Sequence, residues 1–258
     1  MYDLMIYPDA GQAESAAARI IIEQVRKKPG SVLGLATGKT MINIYDILWK
    51  WENEGEVSFS SVKTFNLDEY LGVAPENRDS FHSYMRRSFF MQLQKKPAEV
   101  HILDGSAPDP ELECREFERR IKESGGIDLQ ILGLGRNGHI GFNEPGSPFG
   151  SRTRVIDLSE STRLYYMKNL LELREVPGQA LTMGIATILE AREIVLVVTG
   201  AAKADAFHKV INGPVDVDVP GTALSGHHCV KVIADQAAAQ KLHGHDIKVL
   251  KFKRATRP

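Results

Sequence analysis

A histidine and a glutamate stand five residues apart, at His139 and Glu144, in the stretch LGLGRNGHIGFNEPG from Leu132 to Gly146. An imidazole titrates near neutrality, and a nearby carboxylate can orient it or stabilise its charged form, so the pair reads as proton-transfer chemistry. A second candidate is FNLDEY, where Asp68 and Glu69 close an apolar run. A carboxylate in a partly buried cleft has its pKa moved toward the working pH and can serve as a base; a locally paired acidic turn is the plainer reading of the same residues. The third is LATGKT, Leu35 to Thr40. From Gly34 onward the spacing is G-x-x-x-G-K-T, one residue short of the loop that wraps nucleotide phosphates, which argues against ATP or GTP. A smaller anion fits better. Gly38 lets the backbone approach, the hydroxyls of Thr37 and Thr40 can donate, and a helix starting near Thr40 aims unpaired N–H groups and its positive end at the loop.

The glycines of GLGRNG match G-x-G-x-x-G at Gly133, Gly135 and Gly138, and Asp157 follows at about the distance of a ribose-binding acid. A dinucleotide site nevertheless fails, because that fingerprint must open a helix. Gly141, Pro145, Gly146, Pro148 and Gly150 intervene before Arg152. Each interior glycine costs a helix ~1 kcal/mol and each proline ~3 kcal/mol, so the segment is expected to be a loop.

Helical and strand patterns alternate around these candidates. Asp9 and Gln12 resemble a capping box ahead of Ala18, Ile21, Ile22 and Val25 at helical spacing, and Met41, Ile44, Tyr45 and Leu48 stripe a second helix. Further helices are expected at Ser80 to Phe90 and Glu111 to Glu123. SVLGLAT, VKTFNLDEY, IDLQILGLG, EIVLVVTG and CVKVIAD read as strands. Continuous apolar strands separated by helices predict an α/β fold, a mostly parallel sheet with helices on both faces, with ligands beyond the carboxyl ends of the strands.

Composition narrows the function classes. The chain has 258 residues, 43% hydrophobic and 25% charged, enough for a large core, and its net charge of −1 gives no global attraction to nucleic acid. The basic stretch at the end, about 246–258, reads as a solvated tail. With no apolar run near the ~18 residues that span a bilayer and no signal-peptide pattern, the expectation is a cytoplasmic protein without membrane contact. Cys114 and Cys229 make no C-x-x-C pair, so neither metal nor disulfide framework is expected.

Taken in order, LATGKT, FNLDEY, LGLGRNGHIGFNEPG, SRTRVIDL, ALTMGIATILEA and LVVTGAAK make the chain similar to the glucosamine-6-phosphate deaminases across nearly its whole length. The resemblance implies the Rossmann-like three-layer sandwich of the ribose-5-phosphate isomerase type as a single domain over 1–258, with a mobile lid at about 154–183. It implies conversion of an amino sugar phosphate to fructose 6-phosphate and ammonia, with no cofactor or metal, and leaves a homo-oligomer open. By motif position, His139 would open the pyranose ring, oriented by Glu144 and Asn137, the latter through its amide oxygen on the imidazole. Asp68 would move the proton between C2 and C1, tuned by Glu69. Thr37, Gly38, Lys39, Thr40, Glu69, Gly138, Arg163, Lys168 and Lys203 would hold or adjoin the substrate, with Lys168 standing where the family has a lid arginine. Galactosamine-type relatives usually carry tryptophan after the acidic pair, so Tyr70 implies the glucosamine branch. The alternatives are that galactosamine branch and a non-catalytic sugar-phosphate sensor; the joint presence of Asp68, His139 and Glu144 argues for the enzyme.

Overall fold

The computed structural model describes residues 2–167, 170–174 and 176–242. Lys168 and the basic tail lie outside the described residues. The central sheet has seven strands, all neighbours parallel, in the order β1 (Asp3–Tyr7), β10 (Val230–Asp235), β9 (Glu193–Val198), β6 (Leu129–Gly133), β2 (Val32–Leu35), β3 (Lys63–Asn66), β5 (Glu99–His101). Successive strand residues point to opposite faces, and in β2, β6 and β9 nearly every position is buried, so the sheet is covered on both faces. The expected α/β class is the one observed.

Local chemistry explains the helix boundaries. α1 (Ala10–Lys27) starts where Asp9 accepts from the Gln12 amide N–H at 2.8 Å, while the Gln12 side chain returns to Asp9 at 2.8 Å. α2 (Lys39–Asn53) buries the stripe Met41, Ile44, Tyr45 and Leu48. α4 (Pro110–Glu123) is capped by Asp109 on the Leu112 N–H, with proline in the first turn where its missing donor costs nothing. The expected helix from Ser80 divides into α3 (Phe81–Met85) and a π-helical turn, Arg86–Phe90. Residues 134–153 contain no helix, as their glycines and prolines demand.

One expectation changes materially. VKTFNLDEY is not one strand: β3 ends at Asn66, and β4 (Asp68–Tyr70) joins a separate antiparallel sheet with β8 (Gln179–Thr182) and β7 (Arg154–Asp157). Leu67 is the crossing point, its N–H on the Leu35 carbonyl at 3.0 Å and its own carbonyl taking the Met183 N–H at 2.7 Å. This handover lifts Asp68 above the carboxyl edge of the main sheet. The remaining helices are α5 (Glu160–Met167), α6 (Ile185–Leu189) and α7 (Ala204–Asn212). No helix among the described residues is long and apolar enough to cross a membrane.

Candidate active site

The chain leaves β2, β3, β6 and β9, four neighbouring parallel strands, into one cavity of about 720 Å³. Thr37, Gly38, Lys39 and Thr40 come from the end of β2, Asp68 from the start of β4 two residues past the end of β3, Asn137 and His139 from the loop after β6, and Lys203 from beyond β9. Carboxyl ends of parallel strands are where helix N-termini and loop backbone converge, which is why such sheets bind ligands there. Gly38 adopts φ +115, a conformation side chains avoid, and so opens α2 without a capping side chain. The first N–H groups of that helix are thereby available to an anion.

Lys203 is half-buried, with no ion pair among the described residues. Burial, reinforced by the charge of Arg136, brings its ammonium down to about 8. Two cations on one cavity wall beside a helix N-terminus make that wall electropositive, an arrangement suited to an anion.

Asp68 is buried in the cavity wall, and among the described residues no protein group hydrogen-bonds its carboxylate. Burial, with the neighbouring Glu69 charge adding to it, raises the carboxyl to about 8. A carboxyl so placed accepts a proton readily near neutral pH, as a general base must. The expectation for Glu69 as a substrate neighbour requires correction, because adjacent strand residues face opposite ways and Glu69 does not line the cavity. It is fully buried behind Asp68, taking the N–H groups of Tyr70, Phe81 and His82 at 2.8, 2.9 and 3.0 Å.

His139 lies with Nδ1 3.1 Å from Glu144 Oε1, an ion-pair contact without hydrogen-bond alignment. Nε2 is the nitrogen left for a substrate. Burial alone would raise Glu144, but His139, the Thr162 hydroxyl at 2.6 Å and the Asn137 amide at 2.7 Å outweigh it and hold the carboxyl at about 2. It is a permanent anion behind the imidazole. Asn137 differs from expectation: its NH₂ grips Glu144, and its amide oxygen takes the backbone N–H of His139 at 3.2 Å rather than the ring. Asn143 of the same loop donates to the carbonyls of Ile140 and Met183, both at 2.9 Å, and accepts from Arg154 at 2.9 Å, anchoring the loop to the second sheet.

Gly135 passes under the histidine ring, where an added Cβ would stand 2.4 Å from three ring atoms. Gly135→Ala is therefore expected to displace the imidazole and lower kcat by about 10²-fold, the low end of what a positioned acid–base group contributes, while inorganic phosphate still binds with near-normal affinity. Paired turnover and phosphate-inhibition measurements check this; equal losses in both would mean general distortion.

Residues 9–233 match the family model described as glucosamine-6-phosphate isomerases/6-phosphogluconolactonase. The chain belongs to this family. It is 47% identical over 240 residues to the glucosamine-6-phosphate deaminase of Rhodopirellula baltica, covering 93% of this chain and 96% of the relative. It is also 47% identical to glucosamine-6-phosphate deaminase 2 of Bacillus subtilis (strain 168), covering 88% and 92%. The solved structure of a monomeric glucosamine-6-phosphate deaminase superposes with a TM-score of 0.89 at 41% identity, covering 93% of this chain and 99% of that one. A 6-phosphogluconolactonase from Trypanosoma brucei, at 19% identity and TM-score 0.71, shares the fold.

Within this family's cavity the expected residues do not all meet. Gly138 and Arg163 do not line it; Gly138 gives its carbonyl to the Gly221 N–H at 2.8 Å, and Arg163 donates to the Val176 carbonyl at 3.3 Å. Sequence reasoning missed Tyr84, Arg136, Thr162 and Thr199. Arg136 was findable, since it stands inside the glycine stretch; Tyr84 and Thr162 carry no local signal. Among the described residues, no group of three His, Cys, Asp or Glu side chains could hold a metal.

Proposed function

We propose that the cavity is the catalytic site of a cytoplasmic glucosamine-6-phosphate deaminase, with Asp68 and His139 dividing the proton transfers. Glucosamine 6-phosphate and water become fructose 6-phosphate and ammonia. His139 takes the proton of the C1 hydroxyl and returns one to the ring oxygen, opening the pyranose; Glu144 stabilises the transient imidazolium. Asp68 removes the proton at C2 to give an enolamine and delivers a proton to C1, leaving an imine at C2. Water adds to that carbon, and ammonia leaves. The observation that carries the reading is the meeting of an anion site, a buried high-pKa carboxyl and a carboxylate-backed histidine at four adjacent strand ends. The reading is tested by following ammonia and fructose 6-phosphate together from pure protein and substrate. Absence of both, or ammonia without the ketose, would overturn it.

We assign the phosphate to Thr37 through Thr40 and Lys203, with Arg136 beside them. This contact is made in ground and transition states alike. Lys203→Ala should raise KM roughly ten- to a hundredfold, the span of a charged hydrogen bond, with kcat within a few-fold of the parent. An unchanged KM would place the phosphate elsewhere.

Residues 154–183 form the lid in this reading. Support comes from Thr162 on Glu144, from Leu170 and Leu171 against the cavity, and from the N–H groups of Leu171, Glu172 and Leu173 on Asp79 at 2.6, 2.8 and 2.8 Å.

A further inference from the structure

Glu69 has a fourth donor besides its three backbone N–H groups. His82 Nδ1 lies 3.0 Å from Glu69 Oε2. The side chain of His82 is 28% exposed and that of Glu69 is wholly buried, so the imidazole stands between solvent and a carboxylate sealed in the protein. A carboxylate oxygen at that distance accepts, which fixes the neutral ring as the Nδ1–H tautomer. The other side of His82 lines a separate cavity of about 250 Å³, where Glu76 and Arg86 are its charged neighbours. Glu69 in turn lies next to Asp68 in β4 and opposes its ionisation. On its other sides Asp68 has the buried phenol of Tyr45, and it shares the cavity with His139 and the cations Lys39, Arg136 and Lys203.

We propose that His82 is a positioning residue for the base: it pins the Glu69 carboxylate behind Asp68 and, by donating to it, sets how easily Asp68 ionises. The inference rests on the assignment of Asp68 as the base. An N–H donated to a carboxylate draws off part of its negative charge, and in a buried site that charge is felt strongly by a neighbouring acid. Backbone donors are fixed by the fold, and His82 is the side chain in this set, so it is the adjustable part. Without it, Glu69 opposes the Asp68 anion more strongly.

The test compares His82→Leu, which removes the donor, with His82→Gln, whose amide can replace it. In His82→Leu the acid limb of kcat/KM should move to higher pH, giving a roughly 3- to 10-fold loss on that limb while the alkaline limb stays in place, the size of a shift of about half to one pH unit. His82→Gln should restore the parent profile within about twofold. His82→Met serves as the donor-free variant if His82→Leu does not fold. An unmoved limb in a folded donor-free variant, or an equal loss at every pH, overturns the role of His82. Asp68→Asn measured in parallel separates the two layers. Its retention of activity would overturn the base assignment and this inference together, whereas its inactivity with an unmoved limb overturns His82 alone.

Discussion

Asp68→Asn should lower kcat by ~10²- to 10⁴-fold, the usual loss on removing a positioned general base, while a substrate analogue still binds with similar affinity. The amide keeps the shape of the carboxyl but cannot accept the C2 proton. Ring opening survives, since His139 exchanges protons only among oxygens. In deuterated buffer, the parent should place label at C2 of substrate or C1 of product, or, with a shielded proton, transfer deuterium directly from C2 to C1; the variant should do neither at a comparable rate. Turnover within a few-fold of the parent would refute the assignment.

The same substitution should stabilise the fold. Asp68 has its carboxyl raised from 3.8 to about 8 in the native state, so between those values the native protein binds a proton that the unfolded chain has lost. Stability therefore falls as pH rises through that window, by ~1.4 kcal/mol per unit at most, and the loss is complete above the folded value. An amide in its place does not ionise and carries no such penalty. The gain in melting temperature should be absent near the unfolded value of 3.8 and grow toward about 8; a gain independent of pH would contradict the raised carboxyl. In the parent, activity should rise toward about pH 8 as Asp68 ionises and fall beyond it as Lys203, also at about 8, loses its charge, giving a narrow bell in kcat/KM.

Glu144→Gln should cost about 10²-fold in kcat, because the imidazolium formed during ring opening loses the carboxylate beside it. The amide also fits its surroundings less well: Asn137 and Thr162 both donate to Glu144, and a glutamine NH₂ facing Asn137 opposes two donors, while one facing Thr162 requires that hydroxyl to turn and accept. Asn137→Asp tests the arrangement from the other side. It would set two carboxylates against each other where an amide now grips one, so its loss should depend on pH and stay smaller than that of Glu144→Gln. The reverse ranking in pH-rate profiles would exchange the two roles.

Much of this molecule is determined by sequence alone. Local rules account for α1, α2 and α4, because caps, first-turn proline and the 3.6-residue apolar stripe act within one turn of the chain. The same holds for the loop after β6, where glycine and proline exclude a helix whatever surrounds them. The parallel sheet is legible for a related reason, since strands buried on both faces must be apolar at every position. Motif resemblance across nearly the whole chain supplied the chemistry expected of Asp68, His139 and Lys203.

Side-chain direction was decided elsewhere. Asp68 faces the cavity and Glu69 the interior because Leu67 crosses from one sheet to the other and β4 takes its register from β8, far away in the chain. Asn137 grips Glu144 instead of the imidazole because Asn143 and Arg154 fix the loop from the second sheet. Thr162 reaches Glu144 only because α5 follows β7, and His82 reaches Glu69 only because the turn before α3 closes on β4. Such contacts depend on distances between elements that share no local sequence, and a propensity or a spacing carries no information about them.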